Sequence, residues 1–117
     1  MTKHPTRGAA VKKPVNGAPM PERQLQELVR RTALAFGWCF YHPWMSVKSA
    51  PGFPDCTLTK AGRLIFAELK TERGTLSVHQ EVWLDTLRLV PGVEVYCWRP
   101  CDWLDGTIER VLRGEEG

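Results

Sequence analysis

Apolar residues recur at three- and four-residue steps early in the chain, which is the spacing of one face of a helix. The positions are Leu25, Leu28, Val29, Ala33 and Phe36. This stripe predicts a helix over residues 21–36, with Gly37 placed to end it. A second stripe, around residues 83–90, predicts a helix that Ser77 caps and that the Pro91-Gly92 pair stops. A last short helix is expected after Asp102, which we predict to be its cap.

Four shorter segments carry the aromatic and β-branched residues that favour strands. They cover residues 38–42, 55–59, 63–70 and 93–98. Ala61 and Gly62 form the predicted turn between the second and third strands, and the prolines between 43 and 54 predict a loop. The element order is therefore α-β-β-β-α-β with a short helix after it. This order is typical of a single α/β domain with a mixed sheet flanked by helices.

The size of the chain and its charge pattern refine this picture. Its 117 residues, 43% of them hydrophobic, suffice for one globular domain, predicted over residues 20–113 with a flexible end at 114–117. Residues 1–19 contain four lysines and arginines and no acid, so the net charge of +3 arises in this tail. Its Pro- and Gly-rich composition predicts disorder. Such a basic tail suits a polyanionic partner, or it is a solvated leader without a role.

The apolar segments are too short for a membrane-spanning helix, which needs about 20 apolar residues. No apolar segment follows the N-terminal basic residues as it would in a secretory signal. We therefore expect a cytoplasmic protein without a membrane partner.

Two carboxylates are predicted to converge beside one lysine. Glu68 and Lys70 project from the same face of the third strand, because side chains alternate along a strand. If residues 61–62 form a two-residue turn, Lys60 pairs with Arg63, and the same register places Asp55 directly across from Glu68. Side chains in such a pair have Cβ atoms about 5 Å apart.

Two unpaired carboxylates at this distance repel each other, and a divalent cation relieves that repulsion. Mg²⁺ is typically bound by one or two carboxylates together with water and substrate phosphate. The main-chain carbonyl of Leu69 is a possible third ligand, and Lys70 would position water or stabilise charge on phosphorus. The alternative is a surface ion pair between Asp55 and Lys70. The apolar run before Glu68 favours the metal site, because such a strand is buried on both faces.

Three segments at this spacing resemble the VRR-NUC family, the virus-type replication-repair nucleases of the PD-(D/E)XK superfamily. They are residues 52–55 (GFPD), 65–70 (IFAELK) and 76–84 (LSVHQEVWL), and the resemblance extends over roughly residues 22–102. It implies a restriction-endonuclease-like α-β-β-β-α-β core and a nuclease that uses Mg²⁺, or Mn²⁺ in its place, without a small-molecule cofactor. It also implies that Asp55 and Glu68 bind the metal, that Lys70 is the catalytic lysine and that Gln80 reaches the same site.

The family also has an acidic residue on its first helix, for which Glu22 fits better than Glu27. The side chains of Glu22 and Glu27 point in directions that differ by ~140° around the helix axis, so the two residues cannot serve one site equally. We interpret Glu22 as a further metal-binding and catalytic residue and Glu27 as a surface residue. Additional nucleic-acid contacts are expected at Lys48, His42 and Trp44.

The resemblance to standalone phage-type members also implies a substrate and an assembly. It implies an endonuclease acting on structured or branched DNA, similar to a junction resolvase, in phage replication, repair or recombination. It further implies a homodimer in the host cell cytoplasm. Two alternatives remain: a DNA-binding module that acts through a partner without cleaving, and a restriction-like or RNA-cleaving nuclease built on the same site.

Overall fold

The computed structural model describes residues 19–43 and 50–115. The elements in chain order are α1 (Glu22–Ala35), β1 (Cys39–Tyr41), β2 (Cys56–Lys60), β3 (Arg63–Leu69), α2 (Val78–Arg88), β4 (Val93–Trp98), α3 (Pro100–Leu104) and α4 (Thr107–Arg113). The strands form one sheet in the order β1-β2-β3-β4. The pairs β1–β2 and β2–β3 are antiparallel, whereas β3–β4 is parallel. The predicted mixed sheet flanked by helices is confirmed.

The hairpin between β2 and β3 has the register that the sequence predicted. Ala61 and Gly62 have φ angles of 50° and 84°, which suits a two-residue hairpin turn with both central residues at positive φ. Lys60 pairs with Arg63, and the ladder continues to Cys56 opposite Ala67. Asp55, predicted as the first residue of this strand, lies immediately before β2 instead.

One face of the sheet carries the main hydrophobic core. Alternate residues of β2 and β3 point into it, and α1 and α4 cover it. Its members include Leu25, Val29, Ala33, Cys56, Leu58, Ile65, Ala67, Leu69, Trp98, Ile108 and Leu112. A polar contact ties the segment between α1 and β1 to α4, because the indole N–H of Trp38 donates to the carbonyl of Leu112 at 2.8 Å. Because neighbouring strand residues face opposite ways, Glu68 lies on the other face from Leu69.

The second face is covered by α2 and by the segment before β2. Phe53 packs edge-on against Phe66 of β3 and against Trp83 of α2, with ring centroids 5.9 and 4.9 Å apart. Leu84 of α2 is buried. The predicted cap of this helix is confirmed: the Ser77 hydroxyl accepts from the backbone N–H of Gln80 at 3.1 Å.

The end of the chain corrects one prediction. A single helix capped by Asp102 is wrong, because the segment forms two short helices. Pro100 occupies the first turn of α3, a position whose N–H has no helical partner in any case, so the helix begins earlier than expected. Asp102 lies inside α3 and its Oδ2 accepts from the backbone N–H of Arg99 at 2.8 Å. Gly106, at φ 84°, then separates α3 from α4.

Some predictions fall on residues outside the described ranges. They concern the basic tail, apart from its last residue, and the suggested contacts at Trp44 and Lys48. Within the described ranges, no helix combines the length and the apolar character that crossing a membrane requires.

Candidate active site

The β2–β3 register brings the side chains of Asp55 and Glu68 together. The ladder ends at Cys56 opposite Ala67, so the next position along the hairpin sets Asp55 against Glu68. Asp55 Oδ2 accepts a hydrogen bond from the backbone N–H of Leu69 at 2.8 Å, which fixes this carboxylate beside the end of β3. The hairpin turn thus determines the spacing of two acids that lie 13 residues apart in sequence.

Glu68 is buried and its carboxyl group is held on one side only. The residue is 2% exposed, and its Oε2 accepts from the side-chain amide of Gln80 at 2.8 Å. The other oxygen, Oε1, is buried and has no hydrogen-bond partner among the described residues. Leaving a buried polar atom unsatisfied typically costs about 1–3 kcal/mol, and more for a charged group.

The electrostatics of Glu68 reflect the same crowding. Burial, followed by the charge and close approach of the Asp55 carboxyl group, raises the pKa of Glu68 from 4.5 to about 8, and the positive charge of Lys70 and the backbone N–H of Asp55 offset part of this rise. An ionised carboxylate can only accept hydrogen bonds, so Asp55 cannot satisfy an ionised Glu68. The arrangement is therefore stable with a proton on Glu68 or with a cation beside the two carboxylates.

Gln80 is oriented by the cap of α2. Its Oε1 accepts from the backbone N–H of Ser77 at 2.8 Å, while its own backbone N–H donates to the Ser77 hydroxyl. With the amide oxygen committed to Ser77, the amide nitrogen is directed at Glu68. The Ser-x-x-Gln motif therefore starts the helix and binds the buried carboxylate with the same residue.

The loop before Asp55 approaches α2 closely enough to require glycine. Gly52 has φ +83°, and a Cβ atom there would lie 2.5–2.7 Å from backbone atoms of His79 and Gln80. The indole N–H of Trp83 donates to the carbonyl of Pro51 at 3.1 Å and secures the same loop to the helix. The GFPD segment and the α2 motif consequently form one packed unit on the face that carries Glu68.

Lys70 follows β3 directly. Its backbone N–H donates to the carbonyl of Trp98 at 3.0 Å, which extends the β3–β4 pairing by one step. Its side chain is half-buried, and its charge acts on Glu68 as described above. The structure thus brings together Asp55, Glu68, Lys70 and Gln80, four of the residues that the sequence singled out.

The first-helix acid is not part of this group. Glu22 is exposed in the first turn of α1, a helix that packs on the opposite sheet face. In the described ranges, no three His, Cys, Asp or Glu side chains are grouped so that they could hold a metal ion. Glu27 pairs with Arg30 and Arg31 on the helix surface. A catalytic role for Glu22, like the ligand role of the Leu69 carbonyl, stays a prediction.

His42 has a contact that the sequence did not predict. Its Nδ1 lies 2.9 Å from the main-chain carbonyl of Asp55. A carbonyl oxygen only accepts, so Nδ1 must carry the proton in this contact. His42 therefore supports the backbone of Asp55, whereas the sequence suggested a nucleic-acid contact. The aromatic run before Pro43 gave no signal for this role, which depends on the β1–β2 pairing.

Comparison with protein-family models, curated proteins and solved structures finds no match for this chain. Function is therefore inferred from the geometry of the site and from the motifs.

Proposed function

We propose that this protein is a Mg²⁺-dependent nuclease that hydrolyses phosphodiester bonds in DNA. The observation that carries the proposal is the pair of carboxylates at Asp55 and Glu68, one of which has a buried oxygen without a hydrogen-bond donor among the described residues. A protein gains nothing in stability from two acids placed this way. A site that binds a divalent cation needs them.

The donor set fits Mg²⁺. Asp55 and Glu68 offer oxygen ligands alone, and Mg²⁺ is commonly bound through one or two carboxylates while water and substrate phosphate complete its shell. Mn²⁺ suits the same oxygen donors. Within the described part of the chain no donor meets Glu68 Oε1, and a cation would use its lone pairs and offset its repulsion from Asp55. When bound, the ion polarises a phosphoryl oxygen and lowers the pKa of a coordinated water.

The other residues of the site act on charge and orientation. The Lys70 ammonium group would stabilise the negative charge that develops on the phosphate in the transition state, or orient the attacking water. Gln80 holds Glu68 through Oε2, so Oε1 stays available for the cation. The Leu69 N–H and His42 fix the side chain and the backbone of Asp55, respectively. Holding the carboxylates rigidly reduces the reorganisation that substrate binding requires.

The substrate class and the assembly come from the resemblance to VRR-NUC proteins. The observed order α-β-β-β-α-β, with a mixed sheet and helices on both faces, supports a restriction-endonuclease-like core. On this basis we extend the proposal to structured or branched DNA, to a homodimer and to phage DNA metabolism in the host cytoplasm. The basic tail over residues 1–19 would add phosphate contacts.

A cleavage panel tests the proposal. Labelled single-stranded, duplex, flapped and four-way-junction DNA, with matched RNA, is incubated with the full chain in Mg²⁺, Mn²⁺ or EDTA. We expect metal-dependent cleavage with a preference for a branched substrate. Glu68→Gln and Lys70→Ala should each reduce the rate by about 10²–10³, the usual effect of one electrostatic group at a transition state. The exposed Glu81 gives the matched control, because Glu81→Gln should cut like wild type.

Binding measurements separate the nuclease from its alternatives. Both site variants should retain DNA affinity, because binding depends mainly on phosphate contacts outside the reacting centre. Glu68→Gln should weaken Mg²⁺ binding, whereas Lys70→Ala should leave it intact or slightly tighter. If wild type binds DNA but cuts neither DNA nor RNA with either metal, the protein is a binding module. If both variants cut like wild type, the site is not catalytic.

A further inference from the structure

Arg99 makes an unusual set of contacts with the loop that joins Lys70 to α2. One guanidinium nitrogen, Nη1, donates to the carbonyls of Thr71 and Gly74, each at 2.7 Å, and lies 3.4 Å from that of Glu72. Three main-chain carbonyls of one loop therefore converge on a single cationic group. A second contact fixes the same loop, because the Glu72 carboxylate accepts from the backbone N–H of Cys101 at 3.0 Å.

The parallel β3–β4 pairing explains why Arg99 lies where it does. Glu68 pairs with Cys97 and Leu69 pairs with Trp98, so the same register sets Lys70 beside Arg99. Neighbouring strands are about 4.8 Å apart, and residues paired in this way project from the same face. The Arg99 side chain thus leaves the sheet next to Lys70, on the face that carries Glu68.

The loop that Arg99 holds also lies against the side chain of Lys70. At Gly74, a Cβ atom would stand 2.9 Å from the Thr71 hydroxyl and 3.5 Å from Lys70 Cδ. The Gly74 main chain therefore borders the aliphatic part of Lys70, with room for little more than one methyl group between them. Arg99 fixes the Gly74 carbonyl, so the loop that Arg99 holds forms one side of the space open to the Lys70 stem.

We propose that Arg99 is a positioning residue for Lys70, acting through the 71–74 loop. The inference rests on the proposed nuclease function, in which the Lys70 ammonium group acts at the phosphate. A lysine side chain has four flexible methylene groups, so packing part of that stem restricts the space that the ammonium group samples. Small misplacements of a catalytic group can lower the rate by about 10²-fold.

Arg99→Met is the main test, because methionine keeps much of the apolar stem and removes the donors. We expect kcat to fall about 10- to 100-fold while KM and the Mg²⁺ concentration dependence change less than twofold. Arg99→Lys, which retains a charged donor, should recover part of the lost rate. Arg73, exposed in the same loop, gives the matched control, and Arg73→Met should leave kcat unchanged.

A double-mutant cycle distinguishes positioning from a general structural role. If Arg99 acts through Lys70, Arg99→Met should have little further effect on the residual rate in a Lys70→Ala background, because coupled residues are not additive. Equal losses in both backgrounds would overturn the proposal. So would a kcat for Arg99→Met equal to that of wild type.

An NMR measurement that does not depend on cleavage keeps the test of Arg99 independent of the proposed nuclease function. Lysines of the full chain are ¹³C-methylated, and the Lys70 resonance is identified by its loss in Lys70→Ala. We expect this resonance to sharpen and shift in Arg99→Met and to stay unchanged in Arg73→Met. An unchanged Lys70 resonance in folded Arg99→Met and Arg99→Lys would refute the positioning role. If wild type cleaves nothing in the panel, the proposed function fails, whereas this spectrum still reports on Arg99.

Discussion

Glu68→Gln should make the metal-free protein more stable while it lowers the cleavage rate by about 10²–10³. The glutamine oxygen can accept from Gln80 as Glu68 Oε2 does. Its amide nitrogen can donate to Asp55, where the wild type has two acceptors facing each other. The substitution keeps the shape of the side chain and removes the charge that burial and Asp55 disfavour. Residues selected for binding often reduce stability in this way.

The size of the gain depends on pH, and its sign follows from the raised pKa. The pKa of Glu68 is about 8 in the folded protein, compared with its ordinary value of 4.5, which applies to the unfolded chain. Between these values the folded state retains a proton that the unfolded state has lost, so wild-type stability falls as pH rises. The slope is about 1.4 kcal/mol per pH unit. Glutamine does not titrate. The free energy of unfolding of Glu68→Gln should therefore equal that of wild type below pH 4.5. It should exceed the wild-type value by at most about 3 kcal/mol at pH 7.

Chemical denaturation in EDTA, at intervals from pH 4 to pH 8.5, measures this difference. Wild type and Glu81→Gln should lose stability in parallel as pH rises from 4.5 to 8, while Glu68→Gln should lose less. Added Mg²⁺ should stabilise wild type by about 1.4 kcal/mol for each tenfold excess over its dissociation constant, and the same Mg²⁺ concentration should stabilise Glu68→Gln less, because the variant binds the ion more weakly. If the free energy of unfolding of wild type and of Glu68→Gln changed with pH in parallel, the reasoning would be refuted. The surroundings of Glu68 would then not disfavour its ionised form.

Three further outcomes test the elements around the site. Gly52→Ala should lower the free energy of unfolding, measured by denaturation, more than Gly62→Ala does. Both glycines have positive φ, but only a Cβ at residue 52 would clash with backbone atoms. Equal losses would contradict a tight loop contact. His42→Ala should weaken Mg²⁺ binding several-fold in calorimetry and leave DNA affinity unchanged, since it removes a support of the Asp55 backbone; the reverse pattern would assign His42 to DNA contact. Deleting residues 1–19 should weaken DNA binding and flatten its salt dependence without affecting folding, and an unchanged salt slope would make the tail a simple leader.

The features that sequence predicted well are those that short-range rules determine. The two-residue turn at residues 61–62 fixes the β2–β3 register, and strand alternation then assigns the faces of Asp55 and Glu68. The Ser77 cap is equally local, because a capping box needs only residues three apart. Asp55, Glu68 and Lys70 could be named from the turn and alternation rules, and Gln80 from the resemblance to VRR-NUC proteins.

The features that it missed depend on long-range packing. The contact of Arg99 with the 71–74 loop needs the parallel β3–β4 register, which no turn specifies and which a connection through α2 leaves open. The support of Asp55 by His42 likewise needs the β1–β2 pairing across a long loop. The break between α3 and α4 was missed for a different reason. Pro100 and Gly106 are local signals for the break, but Asp102 is also a favourable capping residue and competes with them.

The geometry also explains why the motifs are separated as they are. Asp55 reaches the site because its loop packs on α2 through Gly52. Gln80 reaches it because the same helix begins at Ser77. Each of these segments needs the other to be in place, and Glu68 lies between them on β3. A change in the cap of α2 should therefore disturb both the hydrogen bond from Gln80 to Glu68 and the packing of the loop that carries Asp55. A site assembled from one hairpin, one loop and one helix start can thus be specified by a few short segments, although the proposed positioning residue, Arg99, follows the neighbouring strand β4.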